Sequence, residues 1–320
     1  MVYDLHCDLL AYLAAHPYHF AYNDECRVSI PQLLAGGVSL QTLAIFTATD
    51  RQSVTKGMAQ ARTYQRLSTR YPDYFASYQS VQSAPIKTVF AIENGSSFCS
   101  EGESLQKGVD RFQKISEEIA TPLYVSLTWH TENRFGGGNH TEIGLKEDGK
   151  ELLRLLEGKL YAIDFSHTSD ALAEDILNFL DQEKLSYKLL ASHSNLRGQH
   201  ECERNLPDEI ADEIVRRGGV IGLSVVSRFI GKQIEEIIGH VAYGLKRGYE
   251  NHLALGADFF FENSVPMNFR GGPSFFTGYD NASCYPQLRQ LLQGHFDKKV
   301  LDKLFSGNCK QFLDQFSTSF

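Results

Sequence analysis

Six acids and imidazoles each stand at the end of a short apolar run, and that regularity constrains the fold more than any other feature of the chain. His6 and Asp8 close Val2-Tyr-Asp-Leu-His-Cys-Asp, and Glu93 closes Val89-Phe-Ala-Ile-Glu. His167 closes Tyr161-Ala-Ile-Asp-Phe-Ser-His, His193 closes Leu189-Leu-Ala-Ser-His, and Asp258 closes Leu253-Ala-Leu-Gly-Ala-Asp. Runs this short, bounded by polar residues, read as buried strands. In a barrel of parallel strands every C-terminal strand end opens into one mouth, so these scattered residues can meet around one or two metal ions. The pattern predicts a metal-dependent hydrolytic site.

Eight such runs are present: Val2–His6, Ser39–Phe46, Thr88–Ile92, Leu123–Leu127, Leu160–Phe165, Lys188–Ser192, Gly219–Leu223 and His252–Gly256. Longer amphipathic stretches separate them. Leu172, Ile176, Leu177 and Leu180 follow one helical face, as do Ile234, Ile237, Ile238, Val241 and Leu245. Pro207 before Asp208-Glu-Ile suits a helix start, with acids near the positive end of the dipole. Alternating strands and helices, eight of each kind of unit, predict an α/β fold of the (β/α)8 TIM-barrel type, and 320 residues suit one such domain over 1–320. Gly136–His140 and Phe259–Asn281 fall after the fourth and eighth strands, where barrels keep specificity.

Composition narrows the partners. Hydrophobic residues make up 42% and charged ones 22%, enough for a large core. A net charge of −8 with no basic run argues against a nucleic-acid or anionic-membrane surface and leaves small molecules as the expected partners. Met1 leads straight into the first strand without a signal-like segment, and no stretch approaches the ~18 apolar residues of a membrane span; a soluble, cytoplasmic protein is the expectation. Cys7, Cys26, Cys99, Cys202, Cys284 and Cys309 show no CxxC spacing and are expected to be free thiols.

The residue types match the chemistry. His6 and Asp8, two apart on an extended segment, project from one face and can grip one cation; alone, His-x-Asp is equally a polar loop start. Glu93 in a water-poor mouth needs a cation or donors to stay charged, and a place between two ions supplies the cation. His167 and His193, at consecutive strand ends, can offer neutral imidazoles to a second ion. Asp258 stands where a barrel hydrolase wants a carboxylate that takes the proton of the attacking water. His240 and His252 read as structural.

In this order, and with Gly36-Gly-Val-Ser-Leu-Gln41, Leu127-Thr-Trp-His-Thr-Glu-Asn133, Ile163-Asp-Phe-Ser-His-Thr-Ser169, Ser192-His-Ser-Asn, Arg204-Asn-Leu-Pro-Asp208 and Gly256-Ala-Asp258, the chain resembles the membrane (renal) dipeptidase family of the amidohydrolase superfamily, which has many soluble bacterial members. The resemblance runs nearly end to end. It implies two zinc ions, one held by His6 and Asp8, the other by His167 and His193, with Glu93 bridging and Asp258 beside a shared water as acid and base. Two cations sharing a water lower its pKa and polarise the scissile carbonyl. Arg204 matches the arginine that receives the substrate's C-terminal carboxylate, a planar anion suited to a guanidinium fork; pairing with Glu203 or Asp208 is the competing role. Trp129, His130 and Asn133 are expected at the substrate.

Two positions depart from the family. Trp129 stands where some members carry an imidazole on the oxyanion, so stabilisation must come from zinc or a neighbour such as His130. Asn94 follows the bridging acid where glycine is usual, and asparagine tolerates positive φ. The expectation is a zinc dipeptidase acting on dipeptides with a free carboxylate, those ending in a D-residue included. Another amide or lactam hydrolase on this scaffold, or a catalytically silent metal-containing binding protein, are the alternatives. Homodimers are common in the family, though no patch in the sequence marks an interface.

Overall fold

The computed structural model describes residues 1–269 and 272–316, so Arg270 and Gly271 of the 259–281 loop and the last four residues of the expected 1–320 domain lie outside the described residues. Nine parallel strands form one sheet: β1 Val2–Cys7, β2 Val38–Phe46, β3 Phe75–Ser77, β4 Ile86–Glu93, β5 Tyr124–Ser126, β6 Ala162–Asp164, β7 Lys188–Ala191, β8 Val220–Leu223 and β9 Leu253–Leu255. The order is β2-β1-β9-β8-β7-β6-β5-β4-β3, and β2 pairs in turn with β4, which closes eight strands into a barrel. All eight expected strands are present within two residues at either end, and the (β/α)8 architecture is the one the sequence predicts.

The ninth strand, β3, stands outside the ring. It pairs with the first three residues of β4, from Phe75 opposite Ile86 to Ser77 opposite Thr88. Only Ile92 and Glu93 at the far end of β4 reach β5. Because β2 occupies the other edge of β4 throughout, β3 satisfies backbone groups that the short β5 leaves open.

One apolar residue from each barrel strand (Leu5, Leu40, Ala91, Tyr124, Ala162, Leu190, Val220 and Ala254) joins a single buried cluster with Cys309, Phe312, Leu313 and Phe316. The C-terminal helix Asn308–Asp314 therefore plugs this end of the barrel. Asn308 fixes it there, its amide donating to Glu250 O at 2.9 Å and Leu253 O at 2.7 Å where β9 begins. The opposite end is left for the strand termini that carry acids and imidazoles.

The helices follow the sequence signals. Asp170–Glu183 buries Leu172, Ile176, Leu177 and Leu180, and Ser169 caps it by accepting from Leu172 N at 2.9 Å. Pro207 is the cap residue of Asp208–Arg216, one position earlier than the first turn. Ile234 lies in a single 3₁₀ turn, and the α-helix proper is Ile237–Lys246. All six cysteines are free thiols. No described helix is long and apolar enough to cross a membrane.

Candidate metal centre

The six residues singled out in the sequence converge at the C-terminal ends of β1, β4, β6, β7 and β9. Glu93 lies at the middle: its Oε2 is 3.1 Å from His6 Nε2, and its Oε1 is 3.0 Å from His167 Nε2 and 3.8 Å from His193 Nε2. His6 Nε2 is also 3.7 Å from Asp8 Oδ1 and 3.7 Å from Asp258 Oδ1. His6, Asp8 and Glu93 can converge on one ion, and Glu93, His167 and His193 on another, the ligand atoms of each group lying within 4.8 Å of one another. All six side chains are buried.

Backbone shape delivers them. His167 and Asp258 have φ of 67° and 64°, and Asn94 after the glutamate has 76°. Such left-handed turns at a strand end swing the side chain into the mouth, and the asparagine in place of glycine adopts the conformation expected of it. Gly256, two residues before Asp258, admits no side chain: a Cβ there would lie 1.8 Å from Ser192 O.

A second layer fixes the imidazoles. Tyr124 donates its hydroxyl hydrogen to Leu5 O at 3.1 Å, so it accepts from His6 Nδ1–H at 2.7 Å. Ser192 donates to Asp164 Oδ2 at 2.7 Å and so accepts from His193 Nδ1–H at 2.7 Å. Asn139 Oδ1 lies 3.2 Å from His167 Nδ1. With each Nδ1 protonated, all three Nε2 atoms present lone pairs to the centre, where three carboxylates are also acceptors.

With neutral imidazoles and ionised carboxylates this donor set has no hydrogen to share. His6 Nε2 and Asp8 Oδ1 are buried with no hydrogen-bond partner among the described residues, and His167 Nε2 faces His193 Nε2 at 2.9 Å. Two carboxylate charges 4.8 Å apart, the outer limit for Asp8 and Glu93, repel by roughly 3–4 kcal/mol at an effective dielectric near 20. Cations relieve both difficulties, so the residues fit a pair of metal ions. Burial accordingly pushes the Glu93 carboxyl up and that of Asp258 well up, and holds His167 and His193 well below the usual imidazole range. For His6, burial opposes protonation, but Tyr124, Glu93 and Asp8 outweigh it and raise the imidazole well above that range.

Four further residues were expected at the substrate. Trp129 and His130 line a cavity of about 40 Å³ above the cluster, together with Asp8, Glu93, His167 and Asp258. Trp129 packs edge-on against Phe46 at 5.1 Å and Phe269 at 5.1 Å. That space holds water but no dipeptide, and Phe46, Val226, Arg228, Phe229, Phe260 and Val265 complete its lining. Arg204 lies just behind, donating to His193 O at 3.0 Å and Ser194 Oγ at 2.6 Å, with its Nε unpartnered and its guanidinium 5.4 Å from the ring of Phe229. Neither competing partner engages it: Glu203 pairs with His140, and Asp208 accepts from Arg247 and Tyr243.

Asn133 is engaged by the protein itself. Its amide nitrogen donates to Leu127 O at 2.7 Å and Asn94 Oδ1 at 3.0 Å, and its oxygen accepts from Phe135 N at 2.8 Å and Gly136 N at 3.2 Å. With every hydrogen-bonding position spent on protein it holds the loop and is not part of the cavity lining. The residues that sequence reasoning missed are Tyr124, Asn139, Ser192 and Asp164. Asp164, an acid inside the apolar run Tyr161–Phe165, was the available signal: it also accepts from Ser126 Oγ at 2.7 Å and from Ser166 N and Ser192 N at 3.0 and 2.8 Å.

A closed parallel barrel with acids and imidazoles gathered at its mouth defines a metal-dependent hydrolase. The family comparison narrows the class: the model of the membrane dipeptidase family (peptidase family M19) matches residues 1–318, and the chain belongs to that family, whose members are peptide-bond hydrolases. Among curated relatives, an uncharacterized protein in the pqqA 5′ region of Klebsiella pneumoniae is 27% identical over 68% of this chain and 77% of its own length. Dipeptidase tcpJ of Claviceps purpurea is 26% identical over 58% of this chain, which spans only 42% of that larger protein. A metallo peptidase from Rhodobacter sphaeroides, solved with a phosphinate mimic of the dipeptide L-Ala-D-Ala, superposes with a TM-score of 0.82 over 98% of both chains at 17% identity. The dipeptidase AC, a metallo peptidase, gives 0.78 over 98% of this chain and 97% of its own at 18% identity.

Proposed function

We propose that this protein is a two-zinc dipeptidase that cleaves dipeptides with a free C-terminal carboxylate, those ending in a D-residue included. The observation that carries the reading is the all-acceptor cluster, in which the two oxygens of Glu93 face separate imidazole groups 3.1 and 3.0 Å away. His6 and Asp8 would hold one ion, His167 and His193 the other, with Glu93 between. Zinc there supplies Lewis acidity toward the scissile carbonyl and a lowered pKa for water.

The chain's own groups do the rest. Asp258, whose carboxyl burial pushes well up while cations pull it down, takes a proton from the attacking water. As the C–N bond breaks it returns that proton to the leaving nitrogen. Arg204 binds the carboxylate of the leaving residue once Phe229 moves aside, and Trp129 walls the mouth against water. A tolerance for D-residues is in keeping with the L-Ala-D-Ala mimic bound by the Rhodobacter sphaeroides enzyme.

Metal analysis with a substrate panel tests this. Purified protein should carry about two zinc ions per chain, lose turnover on chelation, and cleave free dipeptides in preference to their amides or to lactams. Trace zinc with chelator-indifferent turnover would overturn it.

A further inference from the structure

Two guanidinium groups rest against one aromatic ring at the barrel mouth. That of Arg204 lies 5.4 Å from the centre of the Phe229 ring and that of Arg228 lies 5.6 Å from it. Arg204 is buried, whereas Arg228 is exposed and lines the cavity together with Asp8, Glu93, His167 and Asp258. The carboxylate of a simple dipeptide engages only the first of these cations under the proposed function.

The backbone holds Arg228 in place. It stands in the one-turn helix Ser227–Ile230. Ser227 N donates to Ser274 O at 2.9 Å, Ser227 Oγ to Pro273 O at 2.8 Å, and Val226 pairs with Phe275. Asn205, next to Arg204, donates from its amide to Phe229 O at 2.9 Å. The segments bearing the two arginines are therefore tied to each other at the shared ring.

Arg228 is sparsely partnered. Its Nη1 donates to Phe269 O at 3.2 Å, and no carboxylate lies within 4.0 Å of it among the described residues, those lining the same cavity included. Arginines elsewhere on the surface find acids: Arg134 pairs with Asp148, Arg197 with Asp170, and Arg247 with Asp208 and Asp212. A guanidinium has five N–H donors, so one neutral acceptor leaves most of the fork open. An open fork at a cavity wall is complementary to a planar carboxylate. With Arg204 assigned to the α-carboxylate, the group left for Arg228 is a second carboxylate. The shared ring and the Asn205 bond place it on the same substrate residue, as its side chain.

We propose that Arg228 is a specificity-determining residue that binds the side-chain carboxylate of an acidic C-terminal residue, so that the enzyme selects dipeptides ending in aspartate or glutamate. This rests on the dipeptidase reading and on the role that reading gives Arg204.

Alanyl-glutamate and alanyl-glutamine differ by one charge at nearly equal shape, and their kcat/KM values on the unmodified enzyme read the contact. The acid should be favoured at least about tenfold, the scale of one hydrogen bond to a charged group. Arg228→Gln should remove most of that preference, and Arg228→Glu should reverse it, favouring alanyl-lysine over alanyl-glutamate. A preference that survives Arg228→Gln would overturn the proposal. So would an equal loss on the acid and its amide, which would make the arginine a general attractor of anions. Discrimination between glutamyl-alanine and glutaminyl-alanine in its place would overturn the assignment to the C-terminal residue. Cleavage of neutral dipeptides with no preference for the acid overturns this proposal alone, whereas no cleavage of any dipeptide overturns the dipeptidase reading and the proposal with it.

Discussion

Arg204 offers the sharpest test of substrate class. It is 4% exposed, and the two groups it contacts, Ser194 Oγ and His193 O, are neutral. Burial lowers its pKa, and the charges of Asp258 and Glu93 only partly compensate. Among the described residues no anion pairs directly with this buried cation, and under the proposed function an incoming carboxylate would complete the pair. Removing one side of a buried charged pair costs about 2–5 kcal/mol. At 1.4 kcal/mol per decade, Arg204→Met should lower kcat/KM on a free dipeptide by roughly 30-fold to a few thousand-fold. The assay compares each dipeptide with its C-terminal amide, for both proteins. The amide never uses the contact, so its slow hydrolysis should change little. If Arg204→Met slowed both substrates by the same factor, the arginine would be a support for His193, and recognition of the carboxylate would have to lie elsewhere.

Three other outcomes are expected. Glu93→Gln replaces an oxygen by an amide N–H facing one of the two ligand groups; breaking a buried charged contact costs about 3–5 kcal/mol, so zinc content should fall below two per chain under dialysis, and full retention would refute the shared role. Asp258→Asn should keep zinc yet reduce kcat by roughly 10²-fold or more, and loss of metal together with rate would make it a ligand only. His240, whose Nδ1 accepts from Leu196 N at 3.3 Å and whose Nε2–H donates to Ile230 O at 3.2 Å, is held down to about 4 by burial. Unfolding lets it take up a proton below about pH 6.5, so stability should fall as pH drops from there to about 4, by as much as roughly 3 kcal/mol from this group. In urea unfolding, His240→Asn should show a shallower acid dependence, and an unchanged slope would refute the assignment.

The barrel was legible because its signal is repeated. Five of the eight barrel strands combine a short apolar run with an acid or imidazole at the C-terminal end, so order along the chain becomes proximity in the mouth. β3 was not legible: Phe75–Ser77 lies outside the closed ring and ends in no acid or imidazole that would mark it. Nor was the second layer, because Tyr124 meets His6 across 118 positions of sequence and Asn139 meets His167 across 28. Motif membership did not show the partners of Asn133, which shares a segment with Trp129 and His130 and bonds Leu127, Asn94, Phe135 and Gly136 through its amide. Adjacency misled in the opposite sense for Arg204, whose acidic sequence neighbours are engaged by His140, Tyr243 and Arg247.

Unfavourable terms gather at this mouth. Among the described residues, three of the five non-glycine positions with left-handed backbone, Asn94, His167 and Asp258, lie in or beside the cluster, each at a cost on the order of 1 kcal/mol or more. Three carboxylates and three imidazole lone pairs converge there, and an arginine without a paired anion lies behind them. Asp4, a carboxylate within the apolar run of β1, is by contrast well supplied with donors, accepting from His6 N, Gln41, Ala257 N and Tyr285 at 2.7–3.0 Å. At the mouth the unpartnered atoms include His6 Nε2, Asp8 Oδ1 and Arg204 Nε, the groups to which, under the proposed function, cations and a substrate carboxylate would supply the missing partners.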